Sequence, residues 1–328
     1  MRFLIAGYGS IGRRHLRNLR ALGEEDILLY RTHHSSLPED ETAGLPVETD
    51  LRQALAHRPD AVIVANPTAL HLEVALPAAR AGCSLLIEKP VASRLDGIPE
   101  LEHALAENGR KALVGFQFRF HPGLRVVRDL LDSGAAGRPV SARAHWGEYL
   151  PDWHPWEDYR SSYSAREDLG GGVLLTLCHP IDYLRWLLGE VDGVTAQTGT
   201  LGELGIPVED TAEIILHFSR GALAAVHLDY LQKPARHTLE ITCTRGTIAW
   251  DNATGDVSIF KAGAPGWETL PAPQGFERND LFLAELRNFI AVARGEAEPL
   301  CSLRDGARAL ELVLAAYESA QKGCRVAV

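Results

Sequence analysis

The 328 residues include only five cysteines, one methionine and five lysines. Cys83, Cys178, Cys243, Cys301 and Cys324 are odd in number and scattered, with no Cys-x-x-Cys pair and no Cys/His ligand spacing. A disulfide framework is thereby excluded, no metal is expected, and the thiols read as those of a reduced, cytoplasmic protein. Long apolar runs are missing too, so no segment reads as a membrane span. The short apolar stretch at residues 3–6 runs straight into glycines and reads as a strand, not a signal segment. Basic residues are also outnumbered by acidic ones, 33 to 43. The net charge of −10 and the lack of a basic stripe argue against nucleic acid as a partner, and the acidic surface mainly confers solubility.

The remaining composition, 46% hydrophobic and 23% charged, is ordinary for a soluble globular chain long enough for two domains. Up to about residue 120, strand-like runs at 3–6, 27–30, 61–64, 84–87 and 112–116 alternate with helical spacing at 11–22, 70–81 (with Pro77 inside) and 95–107. Wholly apolar runs such as Ala61-Val62-Ile63-Val64 suit strands buried on both faces, and the alternation predicts a parallel sheet with right-handed crossovers. Beyond residue 120 the spacing predicts helices at 123–133 and 180–188. Strands are expected at 140–149, 194–200, 211–218, 222–231, 238–243, 247–251 and 257–261, and closing helices at 279–293 and 303–321. The expected fold class is α/β. A doubly wound parallel sheet occupies residues 1–120. An α+β domain over 121–328 has a large, mostly antiparallel, open-faced sheet, with the C-terminal helix free to pack back on the first domain.

Gly7-x-Gly9-x-x-Gly12 follows the first strand and opens the first helix. In that context Gly7 permits the tight turn, Gly9 lets backbone approach a pyrophosphate and Gly12 lets helix and strand pack closely. Ser10 and Ile11 lie in the same turn, where a helix N-terminus offers unpaired N–H groups to phosphate. This is the dinucleotide signature of a Rossmann domain. The second strand ends in Arg31-Thr32-His33-His34, without the acid that would bind the ribose 2′-hydroxyl of NAD. Arg31, helped by Thr32 or His33, suits a 2′-phosphate instead. NADP is therefore favoured, with NAD the alternative, unless Arg31 is only a solvated loop charge. Asn66-Pro67-Thr68 follows the 61–64 strand where the nicotinamide half would lie. His71, just beyond, either bonds a ribose or caps its own helix.

Glu88-Lys89-Pro90 follows the 84–87 strand. Ligands of open α/β sheets bind outside the carboxyl ends of the strands, so Lys89 points toward the cofactor crevice. With five lysines against 28 arginines, a lysine here is unlike the chain's usual positive charge. Its ammonium can hydrogen-bond a hydroxyl under oxidation and lower its pKa; a surface ion pair with Glu88 is the plain alternative. Residues 170–182 hold three glycines, then His179 just before Pro180, and Asp182 one turn on along the same helix face. His179 suits a proton shuttle with Asp182 orienting it, against the alternative of a satisfied core histidine. Residues 146–163 concentrate Trp146, Trp153, Trp156, Tyr149, Tyr159 and Tyr163 among Asp152, His154, Asp158 and Arg160. Aromatic faces with interleaved polar groups suit a sugar pocket, or else a packing or dimer patch.

Together these residues resemble the Gfo/Idh/MocA oxidoreductase family over essentially the whole chain. The matching blocks are Gly7 to Gly12, Glu88-Lys89-Pro90, Gly115-x-Gln117-x-Arg119-Phe120, residues 170–182, and Phe282-x-x-Glu285-x-x-Asn288-Phe289 followed by Asp305-Gly306. The run Arg14-His15-x-Arg17-Asn18-Leu19 is similar to a branch found in bacterial surface-sugar and nonulosonic-acid pathways. The resemblance implies hydride transfer between NAD(P) and a hydroxyl or keto carbon of a sugar or sugar derivative. Lys89 would contact the reacting hydroxyl and His179 would act as acid and base. Glu88 and Gln117 would join the cofactor set, and Arg119, Trp156, Tyr159, Arg160, Tyr163 and Asp182 the substrate set. A homo-oligomer, dimer or tetramer, through the second domain's sheet is also implied. Family enzymes commonly carry an aspartate three or four residues before the histidine; here Leu175 and Thr176 fill those places. A cofactor-binding sensor without turnover and an NAD-dependent glycoside-cleaving enzyme remain open readings.

Overall fold

The first apolar runs become β1 (Phe3–Ala6), β2 (Ile27–Tyr30), β3 (Val47–Glu48), β4 (Ala61–Val64), β5 (Ser84–Glu88) and β6 (Ala112–Gly115). In this computed structural model, which describes residues 1–32, 42 and 44–328, these strands form one sheet of order β3-β2-β1-β4-β5-β6. Every pairing in it is parallel. The order reverses between β1 and β4, the kind of switch point at which open α/β sheets bind ligands. All of β1, β4, β5 and β6 is buried, as strands covered on both faces require. The accompanying helices are α1 (Ser10–Ala21), α2 (Leu51–Ala56), α3 (His71–Arg80) and α4 (Ile98–Glu107). Pro77 lies inside α3. The sequence reading lacked β3 and α2, which have two and six residues. Segments that short carry too little periodicity to register.

The second sheet contains β7 (Pro139–Gly147), β8 (Val191–Gly199), β9 (Thr211–Phe218), β10 (Leu223–Asp229), β11 (Arg236–Cys243), β12 (Gly246–Asp251), β13 (Val257–Lys261), β14 (Glu268–Leu270) and β15 (Val326–Ala327). Its order is β14-β13-β12-β11-β7-β10-β9-β8-β15. It is mixed: β7 and β10 run parallel, and the other pairs are antiparallel. Side chains alternate. In β9, Ala212, Ile214, Leu216 and Phe218 are buried, whereas Glu213 and Ile215 are exposed. One face is therefore closed and the other open. Helices α5 (Pro122–Asp132), α6 (Val173–Thr176) and α7 (His179–Leu188) pack on this sheet. Trp250, Tyr183 and Tyr230 are among its largest fully buried side chains.

Two long helices close the chain, α8 (Arg278–Ala293) and α9 (Leu303–Lys322). The chain divides into two compact units. The first is Met1–Gln117, Asp168–Gly170 and Arg278–Leu310; the second is Phe118–Glu167, Gly171–Glu277 and Glu311–Val328. α8 and the start of α9 thus belong with the parallel sheet. Val114 N donates to Cys301 O at 2.9 Å. A Cβ at Gly306 would lie 2.6 Å from Val114, so only glycine lets α9 approach β6 this closely.

Candidate functional site

In the first unit the three glycines have distinct steric reasons. Gly7 has φ of 98°, and a Cβ there would lie 2.6 Å from both Ala65 O and Asn66 N. The exits of β1 and β4 are pressed together at this point. A Cβ at Gly12 would lie 2.1 Å from Gly7 O, whereas one at Gly9 would meet nothing within 4 Å. No side chain caps α1, whose N-cap is Gly9. The first N–H groups of α1, at Ser10, Ile11 and Gly12, thus have no side-chain cap, which fits a pyrophosphate.

At the end of β2, Arg31 is buried, with its guanidinium carbon 5.5 Å from the Tyr8 ring centroid. Arg13 lies 5.0 Å over the same ring, so two cations lie against one aromatic ring. Thr32 is exposed. His33 falls outside the described residues.

The β5 exit is braced from below. Glu88 is 8% exposed, and its Oε1 lies 2.7 Å from Nε2 of the fully buried His15 on α1. Burial alone would push the Glu88 carboxyl up. The His15 hydrogen bond, helped by the charges of His15, Lys89 and His71, holds it below its ordinary value. Lys89 is half-buried, and its bond to Pro90 is cis. His71, 1% exposed, places Nδ1 3.0 Å from Pro90 O and Nε2 2.9 Å from Asn66 O. Burial lowers its pKa despite those two carbonyls. A neutral ring donates to only one of them at a time. Asn66 Nδ2 donates to Leu70 O at 2.9 Å, and Thr68 and Gln117 are buried. Glu88, Asn66 and His71, expected as cofactor contacts, thus all have partners within the protein.

Sequence reasoning gave no role to His15 or Glu285. Glu285 on α8 is fully buried, and neither carboxyl oxygen has a hydrogen-bond partner among the described residues. Burial first, then the Glu88 charge, raises it well above its ordinary value. The sequence signals are that Glu285 shares the apolar face of Phe282, Leu286 and Phe289 and stands in one of the blocks that carry the family resemblance.

In the second unit His179 is the first residue of α7 and is 1% exposed. Its ring sits 5.0 Å from Phe118 and 5.4 Å from Trp146, centroid to centroid. Trp146 in turn stacks on His237 at 4.4 Å. Asp182, expected to orient His179 and to touch substrate along with Arg119, instead accepts two bonds from Arg119. These run from Nε to Oδ2 at 2.9 Å and from Nη2 to Oδ1 at 2.7 Å, with both side chains almost wholly buried. In place of the family's aspartate, Leu175 and Thr176 are buried in α6, and the Thr176 side chain hydrogen-bonds that of Tyr230. Among the aromatics, Tyr159 donates to Leu204 O at 2.8 Å and lies under Arg160 at 4.6 Å. Tyr163 is half-buried and Trp156 is 60% exposed.

Residues 1–116 match the model of the oxidoreductase family with an NAD-binding Rossmann fold, and residues 124–249 match the model of the GFO/IDH/MocA C-terminal domain. The chain belongs to the Gfo/Idh/MocA oxidoreductase family. Among its relatives, 1,5-anhydro-D-fructose reductase of Ensifer adhaerens is 30% identical over 275 residues, 80% of this chain and 78% of that protein. Myo-inositol 2-dehydrogenase of Thermotoga maritima is 27% identical across 98% of this chain and 97% of its own. The WlbA dehydrogenase from Bordetella pertussis, solved with NADH and UDP-GlcNAcA, superposes with a TM-score of 0.83. It is 25% identical over 100% of this chain and 97% of its own. The parallel sheet is thus the NAD-binding Rossmann domain of a family oxidoreductase. No helix among the described residues is long and apolar enough to cross a membrane.

A depression of about 710 Å³ also lies on the open face of the second sheet, and none of the residues expected from sequence lines it.

Proposed function

We propose that this family member transfers a hydride between NADP and a carbinol or keto carbon of a sugar or sugar derivative. The observation that carries the reading is the arrangement of the first sheet's carboxyl edge. The uncapped glycine turn after β1, the Asn66 loop after β4 and Lys89 after β5 all open there. Named relatives acting on an anhydrofructose and on an inositol support the sugar class.

The nicotinamide cofactor supplies the hydride chemistry when bound. The backbone N–H groups of residues 10–12 hold its pyrophosphate, and Asn66, Pro67 and Thr68 shape the floor of its nicotinamide end. Lys89 holds the reacting oxygen and stabilises charge developing on it, while His15, Glu88 and His71 keep its turn in place. His179 moves the proton. Trp156, Tyr159, Arg160 and Tyr163 offer aromatic and polar contacts to substrate hydroxyls. Arg31 and Arg13 around Tyr8 support NADP over NAD through a charge-assisted contact to the 2′-phosphate. A homo-oligomer through the open sheet face is supported by Ile215 and Leu223, 37% and 48% exposed; a monomer in sedimentation would refute it. Five free thiols support a cytoplasmic location.

A panel of anhydrosugars, inositols and sugar nucleotides, followed by nicotinamide absorbance with both cofactors, tests the activity. Lys89→Ala is expected to lose roughly 10²- to 10⁴-fold in kcat with cofactor affinity retained; an unchanged rate rules out the role given to Lys89. Arg31→Ala is expected to weaken NADP roughly ten- to a hundredfold and NAD little; equal loss for both removes the NADP assignment. Thr176 in the aspartate's place favours one other reading, a cofactor-binding sensor. Tight NADP binding with no turnover across the panel would establish that reading instead.

A further inference from the structure

The middle of the second sheet carries a cluster that the hydride-transfer reading does not use. Its neighbours in register are Glu213 on β9, His227 on β10 and His145 on β7. These positions share the open face, and His145, Glu213 and His227 line the 710 Å³ depression. Asp229, two residues along β10 from His227, turns its carboxylate back to that ring. We propose that His145, His227 and Asp229 form a binding site for one divalent transition-metal ion of the zinc class, on the open face of the second sheet.

The donor set fits the chemistry. Two imidazoles and one carboxylate are the ligands that zinc, cobalt and iron(II) sites use when some coordination positions stay open. One ligand atom from each residue lies within 4.8 Å of the others. Ligands at about 2.0–2.2 Å from a tetrahedral ion stand roughly 3.4 Å apart, so modest side-chain rotations close the set. The two rings already stack, with centroids 4.5 Å apart and planes 23° from parallel.

Each ligand is also held by a group that is not itself a ligand, as metal sites commonly require. Glu213 Oε1 lies 2.6 Å from His227 Nδ1, directing Nε2 toward Asp229 Oδ2 at 2.9 Å. Gln232 Oε1 accepts from His145 Nε2 at 2.7 Å, which leaves a neutral ring its lone pair on Nδ1. Asp229 Oδ1 accepts from the backbone N–H groups of Leu231 and Gln232 at 2.7 and 2.6 Å, fixing the carboxylate plane. Gly147 provides the room: a Cβ there would lie 2.1 Å from Asp229 Oδ2 and 2.6 Å from the Gln232 side chain. The ion's competitor is the proton now shared by His227 and Asp229, which leaves as the metal enters.

The test uses the full, tag-free chain with Zn²⁺ alone and Co²⁺ alone. Equilibrium dialysis is expected to give one tightly held ion per chain, and Co²⁺ a visible spectrum of nitrogen and oxygen coordination. His145→Gln with His227→Gln is expected to lower affinity more than a hundredfold. Glu213→Gln, on a side chain that is 63% exposed and so tolerant of change, is expected to lower it roughly ten- to a hundredfold. This keeps the test decisive if the histidine variants fail to fold. Equal metal retention by wild type and either variant, or no stoichiometric binding by wild type, overturns the proposal. Neither outcome bears on hydride transfer, because none of these residues has a role in that reading.

Discussion

The two sheets handle polar chemistry in opposite ways. The parallel sheet is covered on both faces, so every position along β1, β4 and β5 is buried, and its chemical groups appear only where the strands end. The mixed sheet is covered on one face, so alternate positions of β7, β9 and β10 remain accessible, and a cluster such as Glu213, His227 and His145 can sit in mid-strand. A sheet closed on both sides pushes function to its rim, while a one-sided sheet can carry it across its width.

The sharpest way to break that contrast is a charge in mid-strand. Val62→Asp in β4 places an unpaired carboxylate where exposure is zero. It is expected to unfold the first unit, at a cost of about 4 kcal/mol or more. Glu240→Thr on the open face is expected to shift stability by no more than about 0.5 kcal/mol. Similar urea midpoints for the two variants would dissolve the distinction.

A smaller effect compares buried pairs. Asp182→Ala strands the Arg119 guanidinium in the second unit and is expected to cost about 3–5 kcal/mol. His15→Ala removes one partner of the less enclosed Glu88 carboxylate, 10% exposed at the side chain, and is expected to cost about 1–3 kcal/mol. The reverse order in chemical denaturation would show that enclosure is not what ranks them.

Acid sensitivity sharpens the comparison further. His121 caps α5 by accepting from Gly123 N at 3.0 Å through Nδ1, and burial pushes its pKa down to about 4. Above its unfolded value of 6.5 the ring is neutral in both states. As pH falls from there toward 4, the unfolded chain takes up the proton first. Stability is therefore lost in that window, by about 3 kcal/mol. His121→Asn keeps a capping acceptor and is expected to reduce that slope, by the share His121 contributes, in urea midpoints taken between neutral pH and pH near 4. Glu285 in the first unit runs the other way. Its raised pKa contributes stability below about its ordinary value of 4.5, which is lost as pH rises.

Much of the first unit was legible because its information is local. The apolar runs at 3–6, 27–30 and 61–64 coincide with β1, β2 and β4, and the glycine turn follows the first of them directly. Lys89 could be placed for the same reason, since its position at a strand end follows from the strand itself. The gathering of His15, Glu285 and His71 around Glu88 was not legible, because those residues come from three helices and meet only when the sheet assembles. In the second unit the spans of β9 and β13 were read correctly. The parallel pairing of β7 with β10 was not, since strand neighbours distant in sequence leave no mark on local spacing. Asp182 shows the limit most plainly: helical periodicity put it one turn from His179, and packing gave it to Arg119.

The sequence by itself determined the two sheets, the glycine turn and the lysine at the sheet's edge, because periodicity and glycine sterics act between residues close along the chain. Only the tertiary structure decided which buried charges are paired and that two histidines on strands far apart in sequence stack on one open face. Those outcomes depend on strand order, burial and enclosure, which are properties of the folded chain and of no single segment.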